Sequence, residues 1–273
     1  MGMESKFTWM DGQLVPSAQA TVPFLTSGLH YGFGVFEGIR CYETAKGPGI
    51  FRLREHAQRL VDSAKIIALE LPYSVDEVVK GCHDVVRANG FRGCYLRPLA
   101  YTRDTGWNLS LLNVKVHFGI AAWEWNAYLG EHALAQGIRA NVSSFTRHHV
   151  NVSMTKSKAS GNYINSALAK TESVRLGFDE AIMLDPTGLV SECTGANIFL
   201  VRNGKIVTPP KTTVLEGVTR DSLIELAKAD GLRVIADASE KDEALVRGLG
   251  PDVVVRRGDD VAQRIREVVP EGV

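Results

Sequence analysis

The stretch from residue 192 to 220 constrains this chain more than any other. It reads Glu192-Cys193-Thr194-Gly195-Ala196-Asn197-Ile198-Phe199, then Ile206-Val207-Thr208, then Leu215-Glu216-Gly217-Val218-Thr219-Arg220. A carboxylate precedes a short polar loop and an Asn-Ile-Phe-Leu-Val strand. Gly217-Val218-Thr219 then turns the chain into a helix over 221–230, which Gly231 stops. The first N–H groups of a helix have no partner inside it and carry the positive end of its dipole. With a threonine hydroxyl beside them they make a seat for a phosphate dianion. A carboxylate buried near that seat needs a cationic partner. Strand, turn and helix therefore suit a ligand that is anionic at one end and carries a protonatable nitrogen at the other.

Charge and length narrow the remaining choices. The 273 residues have a formal net charge of zero, so nothing electrostatic favours nucleic acid or an anionic membrane as partner. No apolar run approaches the roughly 20 residues of a bilayer span. The opening Met1-Gly2-Met3-Glu4-Ser5-Lys6 lacks the apolar core of a signal peptide. Cys41, Cys82, Cys94 and Cys193 form no CxxC pair and no ligand-like cluster with histidines. The expectation is a cytoplasmic globular chain with reduced thiols and no metal site.

The length favours two domains. The compositional break at 126–131 suggests a division into a small N-terminal domain over 1–125, an interdomain loop over 126–134 and a larger C-terminal domain over 135–273. Asp11-Gly12 sits between two short strands, 7–10 and 13–16, as a hairpin turn. Residues 34–42 alternate as a strand, 54–69 and 75–89 carry helical apolar stripes, and 95–101 and 114–123 read as strands. Beyond the break come a strand at 138–144, a helix at 162–175, a strand pair at 180–184 and 198–201, and the helix that follows Thr219. That mixture makes the fold class α/β, in the mixed α+β sense.

Several side chains fit the ligand just described. An aldehyde cofactor needs an amine, and Lys156 and Lys158 both lie just ahead of a helix that Gly161-Asn162 opens. Glu192 is placed to pair with a protonated ring nitrogen, and such a ring absorbs the electron pair left when a substrate loses its α-proton. Arg59, beside the apolar stripe of its helix, has the fork geometry for a phosphate. Alternation puts Tyr95 and Arg97 on one strand face, a pair suited to a substrate carboxylate. Pyridoxal phosphate is the cofactor that meets both the anionic and the ring-nitrogen demand.

Taken together these residues resemble the fold-type IV, class IV aminotransferases, most closely the branched-chain amino acid aminotransferases. The 192–220 string matches the class signature at all its specified positions. The strings His30-Tyr31-Gly32-Phe33-Gly34-Val35-Phe36-Glu37-Gly38-Ile39-Arg40, Arg54-Glu55-His56-Ala57-Gln58-Arg59-Leu60 and Tyr95-Leu96-Arg97-Pro98 are similar to the branched-chain subgroup, as are Trp125-Asn126-Ala127-Tyr128 and Lys158-Ala159-Ser160-Gly161-Asn162-Tyr163. The resemblance implies a small N-terminal α/β domain and a larger cofactor-binding domain with a barrel-like sheet. It also implies amino-group transfer between leucine, isoleucine or valine and 2-oxoglutarate through a pyridoxal phosphate Schiff base. On this pattern Lys158 rather than Lys156 is the Schiff-base amine. Glu192 pairs with the ring nitrogen, Tyr163 bonds the ring hydroxyl, and Arg59 with the Val218 and Thr219 backbone holds the phosphate. Tyr95 takes the substrate α-carboxylate, Arg97 and Tyr31 take the distal carboxylate of glutamate, and Phe36, Trp125, Tyr128 and Tyr163 line the aliphatic pocket. The family pattern implies a homodimer or homohexamer, with a loop near Leu109 closing the partner's site.

One segment departs from the pattern. Where the family carries a second phosphate turn, usually Gly-Thr-Ala-Ala-Glu, this chain reads Arg247-Gly248-Leu249-Gly250-Pro251-Asp252. Leu249 stands in place of the threonine, and Pro251 removes a backbone donor. The chain after Val255 is shorter than the family's, although Val261, Ile265 and Val268 suggest a terminal helix. This admits a second reading, a relative that folds but holds its cofactor weakly. D-Amino acid transaminase and aminodeoxychorismate lyase share the fold type, and the Phe36 to Arg40 string with Arg97 favours the branched-chain L-specific type over both.

Overall fold

The computed structural model describes residues 5–104, 108–125, 131–202, 205–231, 235–238, 253–256 and 267. Its first half is built on one sheet. Strands β1 (Phe7–Met10) and β2 (Gln13–Pro16) meet at Asp11-Gly12, where φ is 46° and 97°. Positive φ at both turn residues is what a two-residue hairpin with native twist requires. Helix α1 (Ser27–Tyr31) leads to β3 (Gly34–Phe36), β4 (Ile39–Thr44) and β5 (Gly47–Ile50). Helices α2 (Leu53–Ile66) and α3 (Val75–Asn89) follow, then the long strands β6 (Cys94–Thr102) and β7 (Val116–Trp123). The sheet order is β2-β1-β7-β6-β4-β5, with β3 also paired to β6. The apolar stripes of α2 and α3 bury Leu60, Ala64, Val78 and Val85 against Leu96, Phe118 and Ile120 of the sheet.

The second half contains α4 (Glu131–Gln136), β8 (Ala140–Val142), α5 (Tyr163–Arg175), β9 (Glu180–Leu184) and β10 (Val190–Cys193). After them come β11 (Leu200–Arg202), β12 (Lys205–Val207), α6 (Val218–Ala229), β13 (Ile235–Ala238) and β14 (Val253–Arg256). β9 is central to a three-stranded sheet, parallel to β8 and antiparallel to β10, while β11–β12 and β13–β14 form separate pairs. The described strands close no barrel. No described helix is long and apolar enough to cross a membrane.

Two local differences from the sequence reading bear on function. The strand expected over 34–42 is interrupted at Glu37-Gly38, although burial still alternates through Val35, Glu37, Ile39 and Cys41, and the fully buried Glu37 carboxylate is bonded by His56 and Arg59 of α2. The pair expected between 180–184 and 198–201 does not form. The 185–188 turn returns the chain at once, with Asp185 N donating to Leu189 O at 2.7 Å, so β9 takes Val190–Cys193 as its partner. Glu192 therefore lies on a strand. Residues 126–130, the 247–252 turn, and Val261, Ile265 and Val268 lie outside the described residues.

Candidate active site

The two halves are stitched together at the segment before α5. Ser157 Oγ donates to the Ser63 carbonyl at 2.9 Å, and the Lys158 amide donates to Ser63 Oγ at 3.0 Å. Phe36 N donates to the Lys158 carbonyl at 3.1 Å, and Ala159 bridges Val35. With its backbone fixed on both sides, Lys158 projects Nζ to the Tyr163 hydroxyl at 2.7 Å, 5.0 Å from the centre of the Phe36 ring. Local sequence left Lys156 and Lys158 as alternatives, and the geometry separates them. Lys156 Nζ is held by Glu216 at 3.1 Å and by the Lys211 carbonyl, whereas Lys158 opens onto a cavity of about 330 Å³.

Glu192 reaches the same cavity from β10 and is 5% exposed. Arg147 Nη2 lies 3.0 Å from its Oε1, and Asn197 Nδ2 and the Leu215 amide each donate to Oε2 at 3.3 Å. Burial pushes the Glu192 carboxyl above the ordinary carboxylate range, and the Arg147 charge, the Leu215 N–H and the charges of Lys158 and Lys156 oppose that rise. Next along the strand, burial and the neighbouring glutamates push the Cys193 thiol up to about 11, so it stays protonated.

Glu37 does the opposite of Glu192. Burial alone would raise its pKa, but hydrogen bonds from His56 and Arg59 and the charge of Arg59 outweigh it and hold the carboxyl at about 2. His56 Nδ1 lies 2.7 Å from Oε2, and Arg59 donates Nε to Oε1 at 2.7 Å and Nη2 to Oε2 at 2.8 Å. The fork of Arg59 is thus aimed by a buried carboxylate, while its Nη1 bonds the Glu216 carbonyl at 2.7 Å. Gly38 has to be glycine here, because a Cβ would fall 1.9 Å from the Tyr95 hydroxyl.

Val218 and Thr219 form the first turn of α6 at the cavity wall, and the N-cap Gly217 offers no side-chain cap for their N–H groups. Arg220 also lines the cavity, and its buried Nε has no hydrogen-bond partner. Of the residues singled out from the sequence, Arg59, Tyr95, Lys158, Tyr163, Glu192, Val218 and Thr219 line this cavity together. Phe36, Arg97 and Trp125 stand behind it. Phe36 packs on Tyr163 at 4.8 Å, Arg97 lies over Phe36 at 4.7 Å and donates to the Tyr95 hydroxyl at 3.3 Å, and Trp125 meets Tyr95 edge-on at 4.6 Å. Tyr31 stacks on Phe33 away from the cavity and is 43% exposed, and Tyr128 lies outside the described residues.

Sequence reasoning missed Glu37, His56, Asn197, Arg147 and Arg220 as parts of the site. The first three and Arg220 stand inside quoted motifs, so their positions were visible but their partners were not. Arg147 had no local signal at all. The residues present fit a phosphate-bearing pyridine aldehyde. Arg59 is cancelled by Glu37 and Arg147 by Glu192, which leaves Lys158 and Arg220 as cavity cations without an ion-pair partner among the described residues. The free helix start and the orphaned Arg220 Nε call for an anion, and Lys158 for a carbonyl.

An amine, a buried carboxylate and an uncapped helix start thus surround one cavity. The profile of Amino-transferase class IV matches residues 34–245, and the chain belongs to that family. It is an aminotransferase, and it is similar to branched-chain aminotransferases. The chain is 48% identical to the branched-chain-amino-acid aminotransferase of Pseudomonas aeruginosa over 238 residues, 87% of this chain and 78% of that one. The structure of the Escherichia coli branched-chain amino acid aminotransferase superposes with a TM-score of 0.82 at 44% identity, covering 84% of this chain and 76% of the other. The T.th. branched-chain amino acid aminotransferase complexed with N-(5'-phosphopyridoxyl)-L-glutamate superposes with a TM-score of 0.78 at 41% identity, covering 94% and 77%. The substrates of such enzymes are amino acids and oxo acids.

Proposed function

We propose that this chain transfers the amino group between branched-chain L-amino acids and 2-oxoglutarate, using pyridoxal 5'-phosphate. The observation that carries the reading is that Lys158 Nζ, the Glu192 carboxylate and the uncapped start of α6 open onto one cavity. When bound, pyridoxal phosphate supplies an aldehyde for the amino group and a ring that holds the electron pair of the broken Cα–H bond. Lys158 Nζ would hold that aldehyde and, once displaced from it by the substrate amine, would be free to take and return the proton of the substrate Cα, with the Tyr163 hydroxyl orienting it. Glu192 accepts the ring N–H and keeps the ring protonated. Arg59 and the Val218 and Thr219 N–H groups hold the phosphate. Tyr95 would orient the α-carboxylate and Arg97 would receive the second carboxylate of glutamate, whereas Tyr31, which lies away from this cavity, would not reach it in this arrangement. Phe36, Trp125, Tyr128 and Tyr163 exclude water around the aliphatic side chain.

The same reading divides the chain into domains over 1–125 and 135–273 with a loop between. It also makes the protein a cytoplasmic homodimer or homohexamer. The liganded T.th. relative supports the choice of cofactor, because its ligand joins a phosphopyridoxyl group to glutamate. The test is an absorbance titration with pyridoxal phosphate, followed by L-leucine and 2-oxoglutarate, with D-leucine as the chiral control. Lys158→Ala is expected to abolish the cofactor band shift and to lower turnover by about 10²–10⁴-fold. A protein that takes up no pyridoxal phosphate defeats the reading. Uptake that becomes tight only in Leu249→Thr favours the second reading, a relative with a weakened phosphate turn.

A further inference from the structure

Arg147 is absent from every motif that points to the site, yet it is the cation paired with Glu192 among the described residues. It is 7% exposed, and its backbone N–H donates to the Leu184 carbonyl of β9 at 2.8 Å. Its Nη1 donates to Ser166 Oγ at 3.1 Å and to Asn165 Oδ1 at 3.4 Å, both on α5. That leaves Nη2 for Glu192 Oε1 at 3.0 Å. An ionised carboxylate offers roughly four acceptor positions. Asn197 and the Leu215 amide occupy those of Oε2, and Arg147 takes one of Oε1. One position is left, on Oε1, and Glu192 lines the cavity.

We infer that Arg147 is the positioning residue for Glu192. Its guanidinium orients the carboxylate so that one acceptor position faces the cofactor ring nitrogen, and its charge keeps that carboxylate ionised in a buried site. The inference rests on the reading of the cavity as a pyridoxal phosphate site. It deepens that reading by assigning the group that makes Glu192 competent. The titratable and charged groups facing Glu192 are Arg147, Lys158 and Lys156, with Cys193 next on its strand in the field of Glu180 and Lys170. Of the forces that oppose the burial of Glu192, the Arg147 charge is the largest. Without it, burial is opposed mainly by one backbone N–H and two lysines, and the carboxyl holds its proton to higher pH. A protonated Glu192 no longer accepts from a protonated ring nitrogen. The defect of an Arg147 variant is therefore greatest at low pH and shrinks as pH rises and Glu192 ionises.

The test is the Kd for pyridoxal phosphate of the apoprotein, measured from about pH 6 to about pH 9, for the unaltered chain, Arg147→Met, Arg147→Lys and Glu192→Gln. Loss of one hydrogen bond to a charged group predicts that Arg147→Met weakens binding by about 10- to 100-fold at the acid end. Its ratio to the unaltered protein should shrink towards the alkaline end, where only the loss of orientation remains. Arg147→Lys should retain most of the affinity, and Glu192→Gln should show a loss that does not change with pH. A Kd for Arg147→Met equal to that of the unaltered protein, or raised by one constant factor at every pH, overturns the inference. If Arg147→Met does not fold, the pair Arg147→Met with Glu192→Gln removes both buried charges. Its Kd should match that of Glu192→Gln alone, and a further loss overturns the coupling. Failure of the unaltered protein to bind pyridoxal phosphate overturns the proposed function and this inference with it. Normal binding there with no pH signature in Arg147→Met overturns the inference alone.

Discussion

The two halves of this molecule are held together by different forces. In the first, Val35, Ile39, Leu60, Leu69, Val78, Val85, Leu96, Phe118 and Ile120 belong to one continuous apolar cluster between the sheet and α2 and α3. In the second, the buried apolar cluster of the described residues is Ala169, Ala181 and Met183. What that half buries instead is polar: Ser143, Arg147, Ser166, Ser173, Glu180, Ser191, Glu192 and Thr194. These groups bond one another and their polar neighbours, as in Thr194 Oγ1 to Glu180 Oε1 at 2.6 Å and Ser173 Oγ to Asn141 Oδ1 at 2.6 Å. Apolar burial is strong but non-directional, whereas hydrogen bonds inside a protein fix angles and lose value when one partner leaves. The first half therefore supplies stability and the second supplies aim. Arg59 and Tyr95 are mounted on the former, Glu192 and Lys158 on the latter.

The largest expected effect tests the stability side of that contrast. Phe118 is fully buried on β7, among the core residues and away from the cavity. Phe118→Ala should cost about 3–5 kcal/mol in denaturant titration, with the cofactor Kd of the folded fraction unchanged. Met183→Ala empties a much smaller cluster whose walls can close in, so its cost should sit near the low end of the Met→Ala range, about 2 kcal/mol. A larger loss for Met183→Ala than for Phe118→Ala breaks the comparison.

The buried glutamates sharpen it, because they have opposite signs. Glu37, in the apolar half, is held at about 2 in the folded chain against an ordinary 4.5. A depressed carboxylate stabilises the fold fully above its unfolded value, and that contribution disappears as pH falls through the folded value. Between pH 4.5 and about 2 the fold should lose about 3 kcal/mol from this group, and Glu37→Gln should remove that slope. Glu192 is raised instead, so the folded chain binds its proton more tightly and stability declines as pH climbs above 4.5. Glu192→Gln should therefore flatten the decline that begins above pH 4.5 and leave the acid side intact. Urea melts across this range check both, and an acid slope that survives Glu37→Gln removes Glu37 as its source.

The same contrast explains what was legible in the sequence. Hairpin β1–β2 and helix α3 were found with their observed boundaries, because Asp11-Gly12 and the stripe from Val75 to Asn89 are local signals. Apolar periodicity records which face a segment buries, and the first half is built on that. The second half was read less well. Strand β10 was missed because Val190-Ser191-Glu192-Cys193 has little apolar content, and its place is set by the 185–188 turn and by pairing to β9. The split at Glu37-Gly38 has no signal in the pattern, since burial alternates through Val35, Glu37, Ile39 and Cys41 and the partners that hold Glu37 come from α2. Lys158 and Glu192 were picked out by type and by their resemblance to known strings, but Arg147 emerges only when α5 and β9 are brought together.

Gly217→Ala tests aim without touching the core. Gly217 has φ of −72°, so alanine meets no backbone strain there, but its Cβ would fall 2.0 Å from Asn197 Oδ1. Asn197 must then move, and it holds both Glu192 Oε2 and the Leu215 carbonyl. The overpacking should cost about 1–3 kcal/mol and appear mainly as weaker cofactor binding, with the unfolding midpoint of the apoprotein shifting less. Equal effects on both would mean that the site is not mechanically separate from the fold.

The smallest expected effect lies at the seam between the halves. Ser157 Oγ donates to the Ser63 carbonyl of α2, and Ser157→Ala deletes one net hydrogen bond worth about 1 kcal/mol. The Lys158 amide keeps Ser63 Oγ, and the Lys158 carbonyl keeps Phe36 N, so the backbone that aims the amine is still held from both sides. The loss should therefore register in thermal unfolding, while the cofactor Kd moves by at most about fivefold. A larger change in Kd would show that the amine is aimed by this single hydroxyl. Lys158 would then depend on the first half for its direction as well as for its support.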